Sequence, residues 1–299
     1  MSLRQLGLHV SLFVVTFFTT LAAGALQMGI NIIEEPYRLI EGLPFSASLM
    51  AILLTHELSH YFASRRHHTS ATLPYFIPAP SIIGTFGAFI KMKSPIISRK
   101  ALIDIGASGP IAGFAVALAV TVYGLYHSEF VSIYSGQIGI VLGDSILFSL
   151  LSRLILGAPP EGKDILLNPV AFAGWIGFFV TSMNLLPIGQ LDGGHIAYAL
   201  LGGKNHRRLS FTLTTLLAVA GLSAIYLSYG LPSSPLISGL KNLLWEGWAI
   251  WALLLYILGL NHPPVIYWEI PIERSRKYIG WIALAIFVLT FIPVPFRVM

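Results

Sequence analysis

Long stretches of this chain carry no Lys, Arg, Asp or Glu, and six of them read as apolar spans about as long as a bilayer is thick. They are residues 5–33, 105–128, 165–191, 209–240, 247–268 and 278–296. Roughly 20 consecutive apolar residues suffice for a helix to cross the hydrocarbon core. A seventh stretch, residues 43–64, is interrupted only by Glu57. Charged residues make up 10% of the 299 positions and hydrophobic ones 55%, with a mean hydropathy of +0.77. A soluble protein carries about 25% charged residues, so this much apolar surface requires lipid as solvent. Disordered, collagen-like and coiled-coil chains are excluded on the same composition. The fold class expected is an all-α polytopic membrane protein with about seven transmembrane helices.

The rest of the chain is read against those spans. The first run lacks a small-residue cleavage site and reads as a retained helix. Residues 129–164 mix charges with the apolar run 146–156 and suit an interfacial or re-entrant helix. Residues 73–97 are rich in Pro, Gly, Phe and Ile, which excludes a regular helix. Extended chain with a β-hairpin near Gly84–Gly87 is expected there, associated with the membrane. Three regions follow: 1–42, an N-terminal span and loop; 43–201, a core; and 202–299, C-terminal spans. With seven spans, thirteen of the 18 Lys and Arg fall on one side and five on the other. Basic loops stay cytoplasmic, so the N-terminus and the 65–100 and 202–208 loops are expected on the cytoplasmic side of a bacterial inner membrane or an organellar membrane. The net charge of +5 and pI near 9.4 are explained by these flanking bases, and no nucleic-acid partner is expected. There is no cysteine, so a metal would have to use His, Asp and Glu.

Ionisable groups inside apolar spans point to function. The chain His56-Glu57-Leu58-Ser59-His60 is an HExxH motif. On a helix, residues i and i+4 lie one turn apart on nearly the same face, so both imidazoles can reach one zinc ion. Glu57 is then placed as general base toward an attacking water. The alternative, three buried polar side chains paired for some other purpose, would leave each needing a partner against a cost of several kcal/mol.

A catalytic zinc needs a third protein ligand and an open position. His67 and His68 lie in a basic loop that faces solvent or headgroups. The better candidate is Asp192 in Asn184-Leu185-Leu186-Pro187-Ile188-Gly189-Gln190-Leu191-Asp192-Gly193-Gly194-His195. Pro187 breaks the helix, and Gly193-Gly194 allows close backbone approach. Such broken helices are tolerated at membrane depth only where they line a cavity or protein interior. The other role for Asp192 is a helix cap at the interface. Asn184 is a candidate donor to a substrate carbonyl or oxyanion, or a helix–helix hydrogen bond. His195 is a candidate partner to the ligand set, an oxyanion donor, or a structural residue. Gly109 and Gly113 read as a helix-packing pair. His9, His127, His206 and His262 are expected at the membrane interface.

HELSH, then LPYFIPAP and GTFGAF, then SGPIAGF at 108–114, then NLLPIGQLDGGH resembles the site-2 protease family of intramembrane zinc metalloproteases. The likeness is strongest over residues 43–201 and is nearest to the cyanobacterial and chloroplast branch, to which Asn261-His262-Pro263-Pro264 is also similar. The sequence shows no PDZ or CBS domain. The resemblance implies one Zn2+ per chain held by His56, His60 and Asp192, with Glu57 catalytic. It implies hydrolysis of peptide bonds in or near transmembrane helices of membrane-protein substrates, often after another protease has shortened them. Gly84, Phe86 and Gly87 are candidates, with Asn184, for holding the extended substrate, and membrane lipid surrounds the chain. Two other classes stay open. A zinc-binding transporter would spread His and Asp over more helices, and an inactive scaffold would usually have lost Glu57. A membrane di-iron oxygenase would need several histidine boxes where this chain has one HxxxH and an isolated HH.

Overall fold

A computed structural model describes residues 2–132, 140–230 and 239–298. The chain divides into two compact units. One comprises Met1–Ile96, Ser108–Ile133 and Leu150–Thr181, and the other Ile97–Ala107, Tyr134–Ser149 and Ser182–Met299. Helices dominate both. Among the described residues four stretches are long and apolar enough to cross a membrane: Leu3–Gln27, Pro36–Arg66, Arg99–Tyr126 and Gly203–Gly230. The other three runs hold shorter helices, Pro169–Asn184, Gly247–Leu258 and Arg274–Thr290. Their apolar runs outlast their helices because the backbone breaks, near Pro187 in one case and at Gly259, which adopts φ +97°, in another.

In the first unit, α1 (Leu3–Gln27) opens with a capping box. Gln5 N donates to Ser2 Oγ at 3.3 Å, and Ser2 N donates to Gln5 Oε1 at 3.2 Å. These two bonds satisfy donors that a helix start leaves orphaned. α2 (Leu43–Arg66) packs against α1. Gly42, just ahead of α2, comes so close to the α1 backbone that a Cβ there would stand 2.0 Å from Leu21 O. Strands β1 (Tyr75–Pro78) and β2 (Thr85–Phe89) pair antiparallel, with Tyr75 opposite Phe89 and Phe76 opposite Ala88. β1 lies on α1 and β2 on α2. Gly84 makes the turn at φ +80°, where a side chain would meet Thr19 O at 2.5 Å and Thr20 Cα at 2.6 Å, so only glycine fits. Thr19 Oγ1 donates to Gly84 O at 2.6 Å and fastens the turn to α1.

α3 (Arg99–Tyr126) gives its first turns to the second unit and the rest to the first. Its later turns pack against α5 (Pro169–Asn184) through glycine contacts, where Gly174 abuts Thr121 and Gly177 abuts Ala117. Between them β3 (Glu129–Ser132) pairs with β5 (Lys163–Leu166) in antiparallel register. β4 (Ile140–Leu142) pairs with the C-terminal β6 (Phe296–Val298), and α4 (Ile146–Ile155) follows β4. The expected interfacial helix is therefore a ten-residue helix flanked by strands, and residues 133–139 of that segment lie outside the described residues. The second unit is completed by α6 (Asp192–Leu201), α7 (Gly203–Ile225), α8 (Gly247–Leu258) and α9 (Arg274–Thr290). The run 209–240 continues beyond α7 into residues 231–238, which also lie outside the described residues.

Candidate metal centre

The HExxH motif occupies the penultimate turns of α2, where His56, Glu57 and His60 are 4%, 5% and 5% exposed. One helical turn separates the two histidines, and it brings their Nε2 atoms to 3.1 Å. Two nitrogens bound to one tetrahedral zinc at about 2.0–2.1 Å would stand roughly 3.3 Å apart. The pair is therefore pre-set for a single ion. Two glycines of α3 make room for the rings. A Cβ on Gly109 would stand 2.1 Å from His60 Nε2, and one on Gly113 would stand 3.1 Å from His56 Nδ1. These positions read as helix packing from the sequence. In the structure they are the wall against which both imidazoles rest.

Asp192 is the first residue of α6 and belongs to its first turn. The segment before it folds back tightly. A Cβ on Gly193 would fall 1.9 Å from Leu185 O, and one on Gly194 would fall 2.5 Å from Gly189 O. Gly189 itself adopts φ +55° and its N–H donates to Ser210 Oγ at 3.1 Å. Only glycines admit this approach. His56, His60 and Asp192 form a group that could hold a metal ion, each offering one ligand atom, with all of these atoms within 4.8 Å of one another. Two imidazoles and a carboxylate are a donor set that suits zinc and leaves a coordination position open. Asn184 is the last residue of α5.

The family model for peptidase family M50 matches residues 44–228, which include every residue of this group. The chain belongs to peptidase family M50. Among its relatives is a protein named "Probable zinc metalloprotease EGY2, chloroplastic" from Arabidopsis thaliana, 34% identical over 62% of this chain and 33% of the relative. Its counterpart of the same name in Oryza sativa subsp. indica is 32% identical over 70% of this chain and 39% of the relative. "Probable zinc metalloprotease EGY1, chloroplastic" from Arabidopsis thaliana is 29% identical over 88% of this chain and 46% of the relative. The chain thus spans between a third and a half of the length of these relatives. No solved structure matches it significantly.

Other polar residues of this M50 chain are placed differently from expectation. His9 and His206, whose places near span ends predict the membrane interface, are buried, at 6% and 1% exposure. His9 Nδ1 donates to Pro74 O at 3.0 Å, which ties α1 to the start of β1. His206, His262 and Tyr198 form a ring cluster, with Tyr198 stacked on His262 at 4.2 Å between centroids. Within it His195 Nδ1 lies 2.6 Å from His262 Nε2, and His262 Nδ1 lies 2.6 Å from Pro263 O. A carbonyl only accepts, so His262 Nδ1 carries a proton. In neutral His262 the Nε2 is then an acceptor, and His195 Nδ1 donates to it. This cluster was invisible in the sequence, where 67 residues separate its two hydrogen-bonded histidines.

Gly84, Phe86 and Gly87 all fall on or beside β2. Phe86 is 76% exposed and Phe89 47%. Gly87 adopts φ +99° with open space where a side chain would be, and its N–H donates to Thr85 Oγ1 at 2.9 Å. Among the described residues β2 has β1 as its single partner strand.

Proposed function

We propose that this chain is an intramembrane zinc metalloprotease that hydrolyses peptide bonds in or near transmembrane helices of membrane proteins. The observation that carries the reading is the convergence of His56, His60 and Asp192 on one ion-sized group, with Glu57 buried next to a ligand. The M50 match and the names of the relatives support the same chemistry. His56, His60 and Asp192 would hold the zinc, which when bound supplies Lewis acidity toward a carbonyl oxygen and toward water. Glu57 takes a proton from the attacking water as its oxygen bonds to the scissile carbonyl carbon. It then passes that proton to the leaving nitrogen as the C–N bond breaks. The burial of this part of α2 keeps Glu57 out of bulk water, and Gly109 and Gly113 leave the space that the two rings occupy. A zinc transporter or an inactive scaffold would not call for a carboxylate in the position of Glu57.

The chain crosses the membrane about seven times in this reading, with the shorter helices α5, α8 and α9 completing the set. Its N-terminus and the basic loops face the cytoplasm. β2 presents the edge away from β1 to an unwound substrate segment, because a helix must release its i→i−4 hydrogen bonds before its peptide carbonyls are accessible. Phe86 and Phe89 seat apolar substrate side chains, Gly84 and Gly87 admit close backbone approach, and Asn184 donates to the substrate carbonyl. Substrates shortened by a prior cleavage fit best, since a short helix unwinds at lower cost. Quantitative proteomics of membranes carrying wild type or Glu57→Gln tests the reading. Membrane-protein fragments that accumulate only with the variant are expected. Identical membrane proteomes would contradict it.

A further inference from the structure

The first unit holds a cavity of about 590 Å³ well apart in character from the metal group. It lies where α1 begins and α2 ends, since Gln5 and His9 line it from the first turns of α1, and Tyr61 and Arg65 from the last turns of α2. Both helices are long and apolar enough to span a membrane, and the cavity lies at the end they share. Its charge is one-sided. Arg65 and Lys93 line it, His9 and His68 join them, and none of the lining residues is acidic. Among the described residues Arg65 and Lys93 make no ion pair.

The walls are built by specific bonds. Lys93 N donates to Ser70 O at 2.7 Å, Ser70 N to Ser94 Oγ at 2.9 Å, and Thr72 N to Lys91 O at 2.9 Å. These carry the β1–β2 pairing outward and bring Lys93 across from the end of α2. His68 adopts φ +54°, left-handed backbone that a residue other than glycine rarely takes. Such strain persists where the surroundings hold it, often at ligand sites. Arg65 lies over the Tyr61 ring at 6.0 Å from its centroid, which fixes the guanidinium at the cavity rim.

We propose that this cavity binds the phosphate of an acidic phospholipid headgroup, with Arg65 and Lys93 as its two cationic contacts. A guanidinium and an ammonium without carboxylate partners are suited to a phosphate anion. The placement at the ends of two spanning helices puts them at the level where lipid phosphates lie. Because His9 fastens α1 to Pro74 beside this cavity, an occupied site braces the start of the hairpin that lies on α2.

The test uses the purified full chain in detergent, exposed to dioleoylphosphatidylglycerol or dioleoylphosphatidylcholine, with bound lipid counted by native mass spectrometry. Wild type is expected to retain the glycerol lipid in preference, by about five-fold for each engaged cation. Arg65→Gln/Lys93→Gln should lose that preference, whereas Arg65→Lys/Lys93→Arg should keep most of it. Arg66→Gln/Lys91→Gln removes the same charge from residues that do not line the cavity and should leave the preference near wild type. An equal loss in that control pair would make the effect diffuse electrostatics and overturn the site. So would the absence of any preference in wild type. Inorganic phosphate at constant ionic strength should not strip the bound lipid, and complete stripping would assign the cavity to a soluble anion instead.

Discussion

The contact between α3 and the HExxH helix makes Gly109→Ala a sharp perturbation of metal binding. The added Cβ would lie 2.1 Å from His60 Nε2, 2.5 Å from its Cδ2 and 2.6 Å from its Cε1. For the nitrogen to reach the 3.4 Å at which such a contact becomes ordinary, the ring must retreat by about 1.3 Å. Zinc–ligand distances hold to within roughly 0.2 Å, so the displacement is several times the tolerance of the bond. Loss of an orienting neighbour alone weakens metal sites by about 10- to 100-fold. A ligand forced off its position should sit at or beyond the upper end. Gly113→Ala is the internal comparison, because its Cβ would lie 3.1 Å from His56 Nδ1 and the ring need give only about 0.3 Å. Alanine favours helix over glycine by about 1 kcal/mol, so neither change should weaken α3 itself. Zinc affinity by competition with a chromogenic chelator, together with the melting temperature of the metal-free protein, measures both. The expected result is a loss of about 10²-fold or more for Gly109→Ala and within about three-fold for Gly113→Ala, with similar metal-free melting. Wild-type zinc affinity in Gly109→Ala would refute the packing argument.

Further outcomes follow from the same geometry. Asp192→Ala should lose most of the zinc while His195→Ala retains it, as read by metal analysis of the purified proteins, and the reverse pattern would exchange their roles. Single cysteines introduced at Arg66 or Arg207 should resist an impermeant thiol reagent applied to intact cells, and labelling from outside would overturn the proposed sidedness. Proline at Ala88 or Phe89 should sharply reduce cleavage of a transmembrane substrate, because it removes an N–H from the strand. Unchanged cleavage in well-folded variants at both positions would leave the hairpin as packing alone. His262→Ala removes the Nε2 that His195 Nδ1 contacts at 2.6 Å. That change should appear as altered His195 imidazole nitrogen shifts in 15N NMR with zinc content unchanged, and unaltered shifts would remove His262 from that role.

The helical character of the long apolar runs and the HExxH geometry could be read from the chain because both are local. Charge-free length is a property of consecutive residues, and a four-residue spacing on a helix determines that His56 and His60 share a face. What the chain could not reveal were features created by distant residues meeting. Gly109 and Gly113 look like any small-residue pair until α3 lies against the two imidazoles. His206 resembles an end-of-span histidine beside Arg207 and Arg208, yet it is 1% exposed beneath Tyr198 and His262. Hydropathy overstated helix length for a related reason. It counts the apolar residues 185–191 and 260–268 as span, whereas the backbone has turned at Pro187 and Gly259 to form the tight segment before Asp192 and the loop that carries His262.

The central claim is that Glu57 moves protons at a zinc held by its neighbours, and Glu57→Gln tests it most directly. The amide is close in size to the carboxylate and leaves His56 and His60 in place, so zinc stoichiometry should match wild type. Cleavage of a model transmembrane substrate, measured on the same preparations, should fall by about 10² to 10⁴, the range a general base supplies. A variant that carries full zinc and still cleaves at more than about one part in 10² of the wild-type rate would contradict the account.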